Sequence, residues 1–153
     1  MAANGLVERR ATVARLKGAF PPVGDRVYKS AVPDDADLPR LPGGAVAAHI
    51  IVDFGAPVRS AQDRALANPE LGQPHILPAS IACVAGDADT AENVMAAVVN
   101  RLVDWKPSAT ADGWELKGGY GTSRPATGNT PTRFISALFL ECTVNQGIEA
   151  PYL

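Results

Sequence analysis

The segment from Asp87 to Pro107, DADTAENVMAAVVNRLVDWKP, is the clearest regular element of the sequence and limits the topologies open to the chain. Asp89 followed by Glu92 three residues later is typical of a capped helix start, and Pro107 lies just past the other end. Between them, apolar residues recur at helical spacing: Ala91, Val94, Met95, Val98, Leu102 and Trp105. The sequence therefore predicts an amphipathic helix here.

Short segments with strand character lie on both sides of this helix. They are DRVYKSAV from Asp25, AVAAHIIVDF from Ala45 and HILPASIACVAG from His75 before it, and GWELKGG from Gly113 and TRFISALFLECTVNQ from Thr132 after it. In the last one, Leu138 and Leu140 share an apolar side, whereas the other side is marked as largely polar by Arg133, Glu141, Thr143 and Asn145.

A second helix is predicted at about residues 5–19, where Leu6, Val13, Leu16 and Phe20 lie near one face before two prolines. The element order is then helix, three strands, helix, two strands, without regular alternation. Such an order favours an α+β fold, with a mainly antiparallel β-sheet of about five strands and two α-helices packed on one face.

The length of 153 residues is that of a single domain. Three segments rich in proline, glycine and polar residues are predicted to be long exposed connectors, at about 33–44, 56–74 and 118–132. The last lies within GGYGTSRPATGNTPTRF, residues 118–134, which lacks both the GxxxxGK[ST] pattern and the third glycine of a dinucleotide-binding loop. Because it precedes a strand rather than a helix, we interpret it as a hairpin connection.

The residues that could support catalysis or metal binding are few and scattered. The two histidines, His49 and His75, have no second ligand at HExxH or CxxC spacing. Cys83 and Cys142 lie in apolar runs, where a thiol behaves as a small hydrophobic group. The sequence therefore predicts no cofactor and no metal. A small metal- or thiol-dependent enzyme remains an alternative, with these candidate residues: Asp34, Asp35, Asp87, Cys83 and His49.

Charge is unevenly distributed along the chain. The first 29 residues hold six lysines and arginines against two carboxylates, a net of +4, and the whole chain has a net charge of -2, so the rest carries -6. A basic end and an acidic body can attract each other between copies, although a solvated charged face is the plainer interpretation. No apolar run is long enough for a membrane span or a secretory signal, so we expect the protein to stay where it is made.

Several segments together resemble one family: RVYKSAVP, HIIVDFG, IACVAGD, TAENVMAAVVNRLV and RFISALFLECTVN. With the basic amphipathic first helix, they resemble the tail terminator proteins of long-tailed bacteriophages, the tail-completion or neck family. The resemblance covers nearly the whole chain and lies in element order, length and texture. It implies a structural virion protein, not an enzyme, that forms a hexameric ring on the head-proximal end of the tail tube.

The resemblance also implies the partners. These are other copies of the chain, the major tail tube protein and the head-closure or connector protein, with no cofactor and no membrane. Genomic DNA would only pass through the lumen, so we expect an acidic or neutral pore wall, because lysine and arginine would retain DNA. The protein would be assembled in the host bacterial cytoplasm and reside in the virion neck. Another neck component, such as a head-closure or head-tail connector protein, is the nearest alternative.

The candidate contact residues are charged and lie in the first helix and the connectors: Arg9, Arg10, Arg15, Asp34, Asp35, Asp37, Arg40, Arg59, Asp63, Arg64, Glu70 and Arg124. The connector from Val58 to Gln73 is long enough to reach a neighbouring ring. Arg124 would report whether the hairpin tip points toward a neighbour or the lumen. Solvated loops that contact nothing are the alternative interpretation.

Overall fold

The computed structural model describes residues 5–32, 46–59, 74–123 and 133–145. It contains two helices, α1 (Leu6–Leu16) and α2 (Ala88–Leu102). The strands are β1 (Val27–Lys29), β2 (His49–Phe54), β3 (Val58–Arg59), β4 (Pro74–Ala85), β5 (Glu115–Ser123) and β6 (Phe134–Asn145). The predicted α+β fold class is confirmed, and the short β3 adds one strand within a predicted connector. Neither helix combines the length and apolarity needed to cross a membrane.

The strands form one sheet in the order β1-β2-β4-β6-β5, with β3 paired to β4. Only β1 and β2 are parallel, and the other pairs are antiparallel. The centre is the β4–β6 pair, in which two strands of 12 residues run together from Pro74 opposite Asn145 to Ala85 opposite Phe134. This long pair is the platform on which the rest of the chain packs.

The core lies on one side of this platform. Alternate residues of the central strands are buried there: Leu77, Ala79, Ile81 and Cys83 of β4, and Leu138, Leu140, Cys142 and Val144 of β6. They join one cluster with the buried stripe of α2, which is Ala91, Val94, Val98 and Leu102. The apolar stripe predicted for this helix is confirmed, with Met95 and Trp105 partly buried against the same cluster.

The inward side of α1 agrees only in part with the predicted one, because Leu16 and Phe20 are buried and Val13 packs against the core, but Leu6 does not. Leu6 is 36% exposed, whereas Glu8, Thr12 and Leu16 are buried. The polar residues are accommodated because Trp114 donates from Nε1 to Thr12 Oγ1 at 3.1 Å. Thr12 Oγ1 in turn donates to the carbonyl oxygen of Glu8 at 2.7 Å. These two hydrogen bonds orient α1 so that two polar residues, Glu8 and Thr12, face the core.

The two helix boundaries also differ from prediction. The N-cap of α2 is Asp87 rather than Asp89: its Oδ1 accepts from the Thr90 backbone N–H at 2.7 Å, and its Oδ2 accepts from Thr90 Oγ1 at 2.8 Å. Helix α1 ends at Leu16 rather than near residue 19, and Gly18 then adopts φ 71°, a conformation that glycine permits.

The glycine-rich segment begins as strand. Gly118–Ser123 belong to β5, so the connector predicted at 118–132 starts later, although the antiparallel β5–β6 pairing agrees with a hairpin. Gly119 fits because a Cβ there would collide with the carbonyl oxygen of Ala137 on the paired strand. The predicted connector at 56–74 contains β3 and ends where β4 begins, and the one at 33–44 lies outside the described residues.

The Asp87 cap predicts a loss of stability on its removal. Asp87→Ala should lower the free energy of unfolding by about 1 kcal/mol, measured by urea denaturation at neutral pH. Asp87→Asn should retain most of it, because asparagine caps equally well. The hydrogen bonds from Thr90 lower the pKa of Asp87, so the contribution is present at neutral pH and is lost as acidification protonates the carboxylate. A larger loss from Asp89→Ala would contradict this assignment.

The buried Trp114–Thr12 hydrogen bond predicts a non-additive pair of substitutions. Thr12→Val should cost about 1–3 kcal/mol, because it leaves the buried indole N–H without an acceptor. In a Trp114→Phe background the same substitution should cost clearly less, since no N–H remains to be stranded. A double-mutant cycle measured by chemical denaturation tests this. Equal costs in both backgrounds would show that the hydrogen bond does not hold α1 in place.

Candidate interaction surfaces

One side of α1 carries positive charge. Since Thr12 and Leu16 face the core, residues half a turn away face solvent. A shallow depression of about 230 Å³ lies there, lined by Arg10, Val13, Ala14, Lys17 and Lys29, which we call the basic face. Its three cations are exposed, and none forms an ion pair with another residue of the described ranges.

Other arginines of the first segment bind groups of the same chain. Arg15 Nε donates to the Arg101 carbonyl oxygen at 3.0 Å, and Arg101 Nε donates to the Arg15 carbonyl oxygen at 3.1 Å. The Arg15 guanidinium also lies 4.6 Å from the ring centre of Trp105. Arg9 Nη2 donates to the Gly55 carbonyl oxygen at 3.0 Å. These contacts fasten α1 to α2 and to the end of β2.

Arg26 has a similar structural role. Its Nε donates to the Ala48 carbonyl oxygen at 2.9 Å, and its Nη2 donates to the Pro22 carbonyl oxygen at 2.6 Å. The six cations of the first 29 residues therefore fall into two groups. Three arginines bind backbone carbonyls of the chain itself, and the remaining three form the basic face.

The sheet side away from the helices has no helix packed on it within the described residues. Two rows of side chains cross it, set by strand register: Ile51–Ala82–Ala137–Tyr120 and Asp53–Ser80–Phe139. We call these residues together with Glu141 the open face. Most are half-buried by their neighbours, but Tyr120 is 66% exposed and its ring meets that of Phe139 edge-on at 5.4 Å.

One end of the open face is acidic. A depression of about 240 Å³ lies there, with Asp53, Ser80, Phe139 and Glu141 among its lining residues. Lys117 forms ion pairs with Glu115 at 2.9 Å and with Glu141 at 4.0 Å, and the hydrogen bond to Glu115 raises the pKa of Lys117. Two carboxylates thus share a single lysine, and Asp53, which lines the same depression, has no ion-pair partner among the described residues.

His49 lies on the same sheet side as Asp53, at the other end of β2. The side chain is buried, its ring lies 6.2 Å from that of Tyr28, and its Nδ1 donates to the Ala47 carbonyl oxygen at 3.0 Å. Burial lowers the pKa of His49, so the imidazole is neutral at physiological pH. His49 is therefore a hydrogen-bonded structural side chain in this fold.

The geometry does not favour a thiol nucleophile. Cys83 is opposite Ile50 on the helix side of the sheet, whereas His49 is opposite Val84 on the other side, so they cannot form a thiol–imidazole pair. His75 lies eight residues along the same strand, roughly 26 Å away at the rise of an extended chain. Burial raises the pKa of the Cys83 thiol to about 12, which keeps it protonated.

Cys142 is equally unsuited to thiolate chemistry. Burial, with smaller contributions from the charges of Glu8, Asp112 and Glu115, raises its pKa to about 12. Its Sγ donates to the Asp112 carbonyl oxygen at 3.2 Å. Among the described residues, no three side chains of histidine, cysteine, aspartate or glutamate are placed to hold a metal ion.

Few of the sequence-predicted contact residues fall within the described ranges. Arg10 is exposed on the basic face, while Arg9 and Arg15 make the intrachain contacts above. Arg59 is described only by its backbone, which pairs with His75. The others lie outside the described residues: Asp34, Asp35, Asp37, Arg40, Asp63, Arg64, Glu70 and Arg124. Their role as contacts stays a prediction.

The open face was not predicted from the sequence. Arg133 just before β6 and Glu141, Thr143 and Asn145 at the far end of the strand indicate a largely polar second side. Toward the other end, Ala137 and Phe139 make the same side apolar. Alternation along the full strand was the signal that could have revealed it.

Comparison with known proteins found no match, either among models of protein families or among curated proteins. Function must therefore be inferred from the residues and surfaces themselves.

The raised thiol pKa values predict slow labelling of the native protein. At pH 8, a pKa of about 12 leaves roughly one thiolate in ten thousand, so Ellman's reagent should react with Cys83 and Cys142 at least about a thousandfold more slowly than in urea. Asn93→Cys places a thiol on the exposed side of α2 and should react at an ordinary rate. Fast labelling of either native cysteine would revive the thiol-enzyme alternative.

Proposed function

We propose that this chain is a tail terminator subunit of a long-tailed bacteriophage. In this role, copies form a ring, expected to be a hexamer, on the head-proximal end of the tail tube. The ring stops tube polymerisation and provides the docking surface for the head connector. The observation that carries the proposal, beside the resemblance in element order, is the open face.

The open face is the kind of surface that assembly covers. Its rows combine apolar residues with small ones, and its rim is charged. Contiguous apolar patches with polar rims mark protein–protein contacts, because water on them is displaced at a gain in free energy. Among the described residues, the main buried cluster lies on the other side of the sheet, so a partner bound on the open face leaves that cluster undisturbed.

Termination of the tube requires occlusion rather than chemistry. A closed ring uses up the matching surfaces of its own subunits, so the next tube ring finds no complementary edge to extend. DNA passing through the lumen should meet acidic or neutral walls, because a basic lining would bind phosphates through counterion release. The basic face of α1 is therefore expected to point away from the lumen, buried between subunits or directed to another protein.

The nearest alternative is another ring-forming neck component, such as a head-closure or head-tail connector protein. The same open face supports it, since such proteins also act through assembled surfaces. The alternative of another class, a small metal- or thiol-dependent enzyme, is weakened by the buried, protonated Cys83 and by the use of Asp87 as a helix cap. Its other candidate residues, Asp34 and Asp35, lie outside the described residues.

Electron microscopy of virions made without the protein tests the proposal. A tail terminator predicts overlong tails that do not join to heads, because nothing ends tube growth. Tails of normal length that fail to join, or filled heads that leak DNA, would instead indicate a different neck role. Supplying the wild-type chain from a plasmid should restore both tail length and joining.

A matched complementation separates structural from enzymatic roles. The variant Cys83→Ala should restore normal tails, because this thiol is buried on the helix side of the sheet and belongs to no proposed contact surface. Circular dichroism establishes that this variant is folded. A folded variant that fails to complement would favour the enzyme alternative.

A further inference from the structure

We infer that the basic face of one copy docks on the open face of the next copy, so that the chain assembles head to tail. The inference rests on the proposed function, because a ring of identical subunits requires a contact between two different surfaces of the chain. The two surfaces are the basic face and the open face, and the occupant of the open face is α1 of a second copy.

The positions of the two surfaces suit such a contact. Helix α1 directs Thr12 and Leu16 toward the core, so Arg10 and Lys17 point away from the sheet on the helix side. The open face lies on the opposite side of the same sheet. Surfaces on opposite sides of a subunit cannot pair isologously with each other. They form heterologous contacts, which generate rings when the rotation between copies closes.

Charge distinguishes this pairing from the other combinations. The basic face has three cations without ion-pair partners among the described residues. The acidic end of the open face carries three carboxylates, those of Asp53, Glu115 and Glu141, and one described cation, Lys117. Two basic faces or two open faces would repel each other, whereas a basic face opposite an open face is attracted. Complementary charge of this kind selects the partner and its orientation.

Side-chain size is compatible with this contact. The open face has the small side chains of Ser80, Ala82 and Ala137 beside the larger Phe139 of β6 and Tyr120 of β5. The lining of the basic face includes the small Ala14, whose short side chain permits close approach of a partner there. Tyrosine and arginine at the margins are among the residues enriched in protein interfaces.

Strand addition at β5 is a less favourable way to join copies. This strand is the last of the sheet on its side, so its outer backbone groups have no partner strand in the described chain. Its pairing with β6 is irregular between Leu116 and Gly118 and again between Tyr120 and Ser123. Such irregularities twist and interrupt an edge, and they discourage a further strand from pairing with it.

A charge-reversal experiment with the full chain tests the contact. Arg10→Glu with Lys17→Glu reverses the basic face, and Asp53→Lys with Glu141→Lys reverses the open face. Each double variant alone should need at least about a hundredfold higher protein concentration to assemble, because like charges then face each other across the contact. An equimolar mixture should assemble again, since every contact in an alternating ring is complementary. Multi-angle light scattering measures the mass in each case.

Two control substitutions make the same kind of charge reversal at positions outside both surfaces. Lys106→Glu and Glu92→Lys alter exposed residues outside both surfaces and should leave assembly unchanged. Circular dichroism should show every variant folded, since all four reversed side chains are at least partly exposed. A chain with all four reversals in one molecule should also assemble by itself, which checks the result without mixing.

The remaining outcomes overturn the inference. If only the open-face reversal abolishes assembly, something other than the basic face of α1 occupies that surface. If both reversed variants assemble like the wild type, neither surface is the contact. A wild-type chain that stays monomeric in concentrated solution would likewise contradict the proposed contact. The proposed function is decided separately by the tail-length phenotype. Overlong tails together with unaffected charge-reversed rings would remove the inference and leave the tail terminator role standing.

Discussion

The hydrogen bond from Trp114 to Thr12 determines how the first helix sits on the sheet. The indole is fully buried, and its N–H finds an acceptor 102 positions earlier in the chain. Because a stranded indole N–H is costly in the core, α1 is turned so that Thr12 faces inward. Relative to the side that apolar periodicity favours, the rotation is roughly a quarter turn. That rotation places Arg10 and Lys17 outward, so the surface charge of the subunit depends on an interaction in its interior.

Much of the fold could be predicted from local patterns, and the departures have tertiary causes. Alternation in β4 and β6 and the stripe of α2 report burial directly, because each is long enough to show its period. The side of α1 that is buried could not be read in the same way, since the partner of Thr12 is remote in sequence. The glycines of β5 resembled a turn, yet Gly119 is needed where the strand lies close to the carbonyl oxygen of Ala137.

The candidate surfaces were only partly visible in the sequence. The count of charges identified a basic first segment, but it could not separate arginines that bind carbonyls of their own chain from cations that remain at the surface. That separation depends on which backbone groups come near, and only the fold specifies it. The open face was missed for a related reason. The polar residues of β6 are concentrated at one end, where they concealed the apolar side chains of Ala137 and Phe139 farther along.

The reciprocal bonds between Arg15 and Arg101 have a mechanical consequence. Each arginine lies in the last turn of its helix and donates to a carbonyl oxygen in the last turn of the other helix, where the helix dipole is negative. Two like charges are thereby held side by side by the ends of two helices. A pull on α1 is transmitted through this clasp to α2 and then to the long β4–β6 pair. Together with the Arg9–Gly55 and Trp114–Thr12 hydrogen bonds, the clasp is one of the links through which a load on α1 reaches the sheet.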